Sequence, residues 1–140
     1  MSVIGNFDLL AGGTLLLELG GTVFDTGYER LDVVGTTNLD PGSFFDIDFF
    51  GGFTAGLGDV FDILVGDNIN VANLGALIFD FTGARLGTGL AWETSIIDGT
   101  RDSLRLSIVA AAVPEPSTLP LFASLLFAVD GAARARRRRA

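Results

Sequence analysis

The chain has 140 residues, no Cys, no His and no Lys, and a net charge of −8 from 17 acids against nine arginines. That composition excludes a disulfide-stapled domain, removes the commonest metal ligand and general base, and leaves room for one domain plus a tail. The charge is uneven: residues 1–112 hold 15 acids against four arginines, a net −11, whereas the last seven residues hold five arginines. An acidic body of this kind repels phosphates, so nucleic acid is excluded as a partner.

Residues 1–6 carry no basic n-region, and the apolar stretch 9–19 is interrupted by Gly12 and Gly13 and contains Glu18. This is not a secretory signal peptide. From residue 13 to 112 the hydrophobic pattern has period two, the strand signal. Leu15, Leu17 and Leu19 alternate with Leu16 and Glu18, and Leu31 and Val33 with Asp32. Phe45, Ile47 and Phe49 alternate with Asp46 and Asp48, and Phe61, Ile63 and Val65 with Asp62 and Leu64. Leu77, Phe79 and Phe81 alternate with Ile78 and Asp80, and Leu104, Leu106 and Ile108 with Arg105 and Ser107.

Strand centres are predicted near Leu17, Leu31, Ile47, Phe61 and Phe79, spaced about 14 to 18 residues apart. Turn chemistry fills the gaps: Gly20-Gly21, Asp40-Pro41-Gly42, Gly51-Gly52, Gly56 with Gly58, Gly66-Asp67-Asn68 and Asp98-Gly99. An all-β body follows. The pattern fits two architectures, a parallel β-solenoid whose coils share one core or an antiparallel β-sandwich or jelly roll.

Candidate chemistry is sparse. Glu18, Asp32, Asp46, Asp48, Asp62 and Asp80 all fall on outward positions and are expected to form an acidic ladder, a solvated face that discourages edge-to-edge aggregation. Paired carboxylates also serve glycoside hydrolysis, but no Gly-x-Ser-x-Gly elbow, His base or Cys nucleophile accompanies them. The chain is therefore not expected to be an enzyme. Calcium is the best cofactor candidate, through Asp59, Asp62 and Asp67 near Gly-rich turns. Neither the tandem Gly-Gly-x-Gly-x-Asp repeat nor an EF-hand loop is present, so no cofactor is expected on balance. Trp92 and Tyr28 are candidate ligand contacts, since aromatic faces stack on sugars such as those of an exopolysaccharide.

The tail has three parts. Pro114, Glu115 and Pro116 lie in a stiff spacer over residues 113–118 that resists helix and sheet pairing. Residues 119–133 form an apolar run of 15 residues interrupted by Pro120 and Asp130. As a helix the run reaches only about 22 Å, short against the ~20 residues of a usual spanning helix. Asp130 would cost roughly 2.5–3.5 kcal/mol at a bilayer centre, and less beside the interface that Arg134 marks. Residues 134–140 hold Arg134, Arg136, Arg137, Arg138 and Arg139, which fix topology by staying on the cytoplasmic side.

This order of motif, apolar helix and basic end resembles the PEP-CTERM sorting signal of exported proteins of Gram-negative bacteria. The resemblance implies an exosortase, a membrane protease, as the processing partner near Pro114, Glu115 and Pro116, with transient residence in the inner membrane. It also implies export to the cell surface or extracellular matrix, and hence an upstream signal, so the chain is expected to be part of a longer protein. A second resemblance is carried by Tyr28-Glu29-Arg30-Leu31-Asp32-Val33-Val34-Gly35, Gly58-Asp59-Val60-Phe61-Asp62-Ile63-Leu64 and Leu90-Ala91-Trp92-Glu93-Thr94-Ser95. This series is similar to the strand repeats of autotransporter passenger domains and implies a right-handed β-helix with a capping segment. The expected organisation is a β-rich body over 1–112, the motif and linker over 113–118, a membrane helix over 119–133 and a cytoplasmic tail over 134–140. The expected role is a non-catalytic scaffold or adhesion surface. The rivals are a carbohydrate-binding or polysaccharide-acting module and a plain tail-anchored membrane protein.

Overall fold

The computed structural model describes residues 1–112. The Pro114-Glu115-Pro116 motif, the apolar run 119–133 and Arg134, Arg136, Arg137, Arg138 and Arg139 lie outside the described residues. Nine strands carry the fold: β1 (Ser2–Ile4), β2 (Phe7–Leu9), β3 (Thr14–Leu19), β4 (Leu31–Leu39), β5 (Phe44–Phe49), β6 (Val60–Val71), β7 (Ile78–Asp80), β8 (Leu90–Ile97) and β9 (Asp102–Ala110). Among the described residues a single 3₁₀ turn, Leu74–Ala76, interrupts them. Among the described residues no helix is long and apolar enough to cross a membrane. The body is all-β, with one mixed and one parallel sheet.

The larger sheet has the order β1-β4-β6-β9-β8, with β2 also beside β4, and the smaller has the order β3-β5-β7. From β2 to β8 consecutive strands therefore alternate between sheets, and up to β7 each pass lays its strands parallel to those of the previous pass. Thr14 pairs with Phe44 and Phe44 with Ile78, offsets of 30 and 34 residues. Asp8 pairs with Asn38 and Asn38 with Asn70, offsets of 30 and 32. The 14-to-18-residue spacing of the sequence is thus half a pass. The direction changes only at the end, where β9 runs antiparallel to β6 and β8 antiparallel to β9.

The period-two pattern determines what is buried. Leu17, Leu19, Leu31, Val33, Phe45, Ile47, Phe61, Ile63, Leu104 and Leu106 are buried at 0–1 % exposure, each burial stabilising by roughly 1.5–3 kcal/mol. Parallel register stacks like on like: Leu15, Phe45 and Phe79 share one row, and the Phe45 and Phe79 rings stack with centroids 5.0 Å apart. Three tight turns repeat in the same way. Gly13, Ser43 and Leu77 donate to Leu10, Asp40 and Leu74, and the turns bond to one another through Gly12 N to Gly42 O and Gly42 N to Ala76 O, both 2.9 Å.

Three local expectations fail. Leu64, expected outward, is buried and Val65, expected inward, is half-buried, because the register of β6 against β9 shifts between Asp62 and Leu64. β1 and β2 form ahead of residue 13, where the period-two stretch begins; they pair with β4 and bring Val3, Phe7 and Leu9 onto the core. Gly66-Asp67-Asn68 is not a turn but lies inside β6. The register between β4 and β6 shifts there instead, beside Gly35. At Gly35, with φ +142°, an added Cβ would lie 2.5 Å from Gly5 O, and at Gly66 it would lie 3.1 Å from Thr37 Oγ1. At Gly35 only glycine fits, since both its left-handed φ and the Gly5 backbone exclude a side chain.

Candidate functional site

The six outward acids do not form one ladder. They divide between the two sheets, and the sheets treat them differently. On the larger sheet, Asp62 sits directly across from Arg105 and accepts from its Nε at 2.7 Å and Nη2 at 3.0 Å. Asp32 is held from two sides, by Arg30 Nε at 2.9 Å and by Arg101 Nη1 at 2.7 Å. Arg101 also reaches Asp67 Oδ1 at 3.1 Å and the Val33 carbonyl at 2.6 Å. Desolvation pushes the Asp32 carboxyl up, but the hydrogen bonds from Arg101 and Arg30 and their charges outweigh it and hold its pKa below the ordinary value.

On the smaller sheet, Glu18 pairs with Asp48 and Asp46 with Asp80. Among the described residues no arginine forms a salt bridge with any of the four, all such pairs falling on Asp32, Asp62 and Asp67. Desolvation, then the charges of Asp48 and Asp80, raise the pKa of Asp46. Asp80 is lowered, because the Thr82 hydroxyl and backbone N–H both donate to it.

Calcium candidates Asp59, Asp62 and Asp67 are not brought together. Asp59 accepts from Gly56 N at 2.8 Å and closes a turn, Asp62 is taken by Arg105, and Asp67 by Arg101. Among the described residues no group of three His, Cys, Asp or Glu side chains is placed to hold a metal ion.

The two aromatic candidates meet on one core ring. Tyr28 packs edge-on against Phe61 at 5.3 Å, and Trp92 lies tilted against the same ring at 6.2 Å. Trp92 is a packing residue: it stacks on Phe81 at 4.7 Å and 8°, and its indole N–H donates to Ala84 O at 3.0 Å. Tyr28 is pinned as well, its hydroxyl accepting from Asp62 N at 3.3 Å. Its surroundings differ, however. The loop between β3 and β4 folds back through Gly20 N to Gly27 O at 2.7 Å and Gly27 N to Val23 O at 2.6 Å. Gly27 is required there, because a Cβ would lie 2.7 Å from Val23 O.

That folded loop leaves a cleft of about 290 Å³ lined by Glu18, Phe24, Asp25, Tyr28, Arg30 and Phe50, with Glu29 alongside. Arg30 lies over the Phe24 ring, its Cζ 3.4 Å from the centroid, and Glu29 is fixed by accepting from Glu18 N at 3.0 Å. Asp25 takes a left-handed φ of +74°, the only described non-glycine residue that does so. Of these residues the sequence singles out Tyr28, as a ligand contact, and Glu18, as an outward acid of β3. Phe24, Asp25, Glu29 and Arg30 come from a loop without periodicity, whose Gly20-Gly21 signal announces a turn but not its shape, and Phe50 follows β5.

A third feature is a polar ladder on the larger sheet. Asn38 donates to Asp8 at 2.6 Å, Asn70 to Asn38 at 2.9 Å and Asn68 to Asn70 at 3.0 Å. No family model matches the chain, and no curated protein matches it either.

Proposed function

We propose that this chain is an exported bacterial surface or matrix component with a non-catalytic β-rich body and a C-terminal signal for sorting. The observation that carries the reading is the order of Pro114-Glu115-Pro116, the apolar run 119–133 and the arginines from Arg134 to Arg139. A stiff motif, a membrane-seeking segment and a topology anchor in that sequence are what a membrane protease of the exosortase type would need to find its cleavage region. The short apolar run suits transient residence in the inner membrane. On this reading the partners are that protease, the inner membrane and, outside the cell, exopolysaccharide.

The body is read as the last coils of a parallel β-solenoid closed by an antiparallel cap. Support comes from offsets of 30 to 34 residues between parallel partners, from three stacked turns and from the Asp8-Asn38-Asn70 ladder. Each is one event repeated once per pass, as a coil requires. The larger face, with its acids closed in ion pairs and its Asp8-Asn38-Asn70 column hydrogen-bonded, suits a scaffold.

Intact mass spectrometry of the protein from its native host tests the sorting reading. The expected result is a released form ending within residues 113–118. Full-length chain found only in membranes would make the tail a plain anchor and overturn it.

A further inference from the structure

We infer that the cleft between β3 and β4 is a subsite for one neutral sugar residue of a polysaccharide. The inference goes beyond the sorting and scaffold reading and does not use the tail. Its starting point is the mixture of groups in the cleft. Phe50 is 61 % exposed, so one aromatic surface is open to a ligand without any core rearrangement, beside Phe24, whose face carries Arg30. Glu18, Asp25 and Glu29 supply carboxylate acceptors, and Arg30, whose Nε and Nη2 donate to Asp32, presents its Nη1 among them.

This mixture selects among ligand classes. An anion would face three carboxylates. A cation would compete with Arg30, which already occupies the Phe24 face. An apolar ligand would leave the charged groups desolvated and unpaired. A neutral polyol has none of these faults, because each hydroxyl both donates and accepts, while the C–H face of a pyranose packs on an aromatic ring. The volume of about 290 Å³ fits one hexose unit, and its openness to solvent lets a chain run past on either side.

The rim is also preorganised. Glu29 is tied to β3 from both directions, its backbone N–H donating to Glu18 O at 3.0 Å and its carboxylate accepting from Glu18 N at 3.0 Å. Tyr28 anchors the loop to Phe61 in the core. Ordering costs on binding are thereby reduced. Trp92, the other aromatic candidate, is not the sugar contact, since its ring is stacked on Phe81 and its N–H is bonded to Ala84 O.

The test is titration of the full-length protein with cellotetraose and with maltotetraose, followed by saturation-transfer NMR. Saturable binding of at least one is expected, with Kd near the millimolar range, about −4 kcal/mol. Phe50→Ala should weaken it about tenfold. Asp25→Asn, which keeps a residue that tolerates the left-handed conformation, should weaken it severalfold, and Leu57→Ala should leave it unchanged. Far-UV circular dichroism on each variant separates lost contact from lost fold. Two results overturn the inference: no saturable binding of either tetrasaccharide, or binding that survives both Phe50→Ala and Asp25→Asn. Neither of them bears on processing of the tail, and failure of the tail reading would leave the cleft result standing.

Discussion

The two sheets place acidic residues on their outer faces by the same rule, yet only one of them neutralises the charge. Parallel register at about 4.8 Å spacing sets each residue beside its counterpart in the next pass. On the smaller sheet this puts Glu18 beside Asp48 and Asp46 beside Asp80, and like charges across strands destabilise. The larger sheet escapes because β9, the neighbour of β6, runs the other way and brings different residues into register. Arg105 comes from β9 and Arg101 from the turn just before it. Where like must meet like on that sheet, the column is Asp8-Asn38-Asn70, and an amide donates to one neighbour while accepting from the other. Repetition therefore rewards amides, penalises carboxylates and makes the antiparallel strands the source of relief.

The comparison is broken most directly at Arg101. Arg101→Met removes the hydrogen bonds to Asp32, Asp67 and the Val33 carbonyl at once. With the side chain about a third exposed, screening discounts the charge-assisted bonds, and a loss of about 2 kcal/mol is expected. A lower urea midpoint at unchanged m-value would show it, while a midpoint within error of wild type would mean that the larger sheet does not depend on its arginines. A smaller effect is expected at the ladder. Asn38→Ala leaves Asp8 and Asn70 without their shared partner, at about 1 kcal/mol because both can turn to water. Hydrogen exchange should then quicken in β2 and the second half of β4 ahead of the rest. Uniform quickening would argue against the column as a local clamp.

Legibility in the sequence followed the same division. Inward positions were readable because period two needs only apolar alternation, so Leu17, Phe45, Phe61 and Leu106 are where the pattern put them. The outward acids were readable as outward, but not their fates, which depend on which strand lies alongside. Arg101 and Arg105 reach Asp32 and Asp62 across 69 and 43 residues, a separation that no local pattern records. The repeat could have been found: Gly5, Gly35 and Gly66, or Gly12 and Gly42, recur at one pass length. It was hidden because two strands per pass halve the apparent period. The cleft was least legible, since Phe24, Asp25 and Phe50 are placed by one folded loop and the turn after β5.

The finest distinction between the sheets is their response to acid, and it has opposite signs. Asp46 has a folded pKa raised above the ordinary 3.8, so its ionised form opposes folding at neutral pH. That penalty fades as pH falls through the raised value towards 3.8. Asp32 has a folded pKa below 3.8, so its contribution is complete above 3.8 and is lost only as pH falls further, through its lowered value. Acidification should therefore relieve the smaller sheet before it harms the larger. Asp46→Asn removes the first effect alone. At pH 7 the variant should have the higher urea midpoint, by a small margin that shrinks with added salt, and the two proteins should converge as the pH nears 3.8. A gain that persists unchanged at low pH would reflect the amide's better hydrogen bonding in the row instead of relieved repulsion. A loss at pH 7 would mean that Asp46 is stabilised by something other than the carboxylates beside it, and the contrast between the two faces would fall.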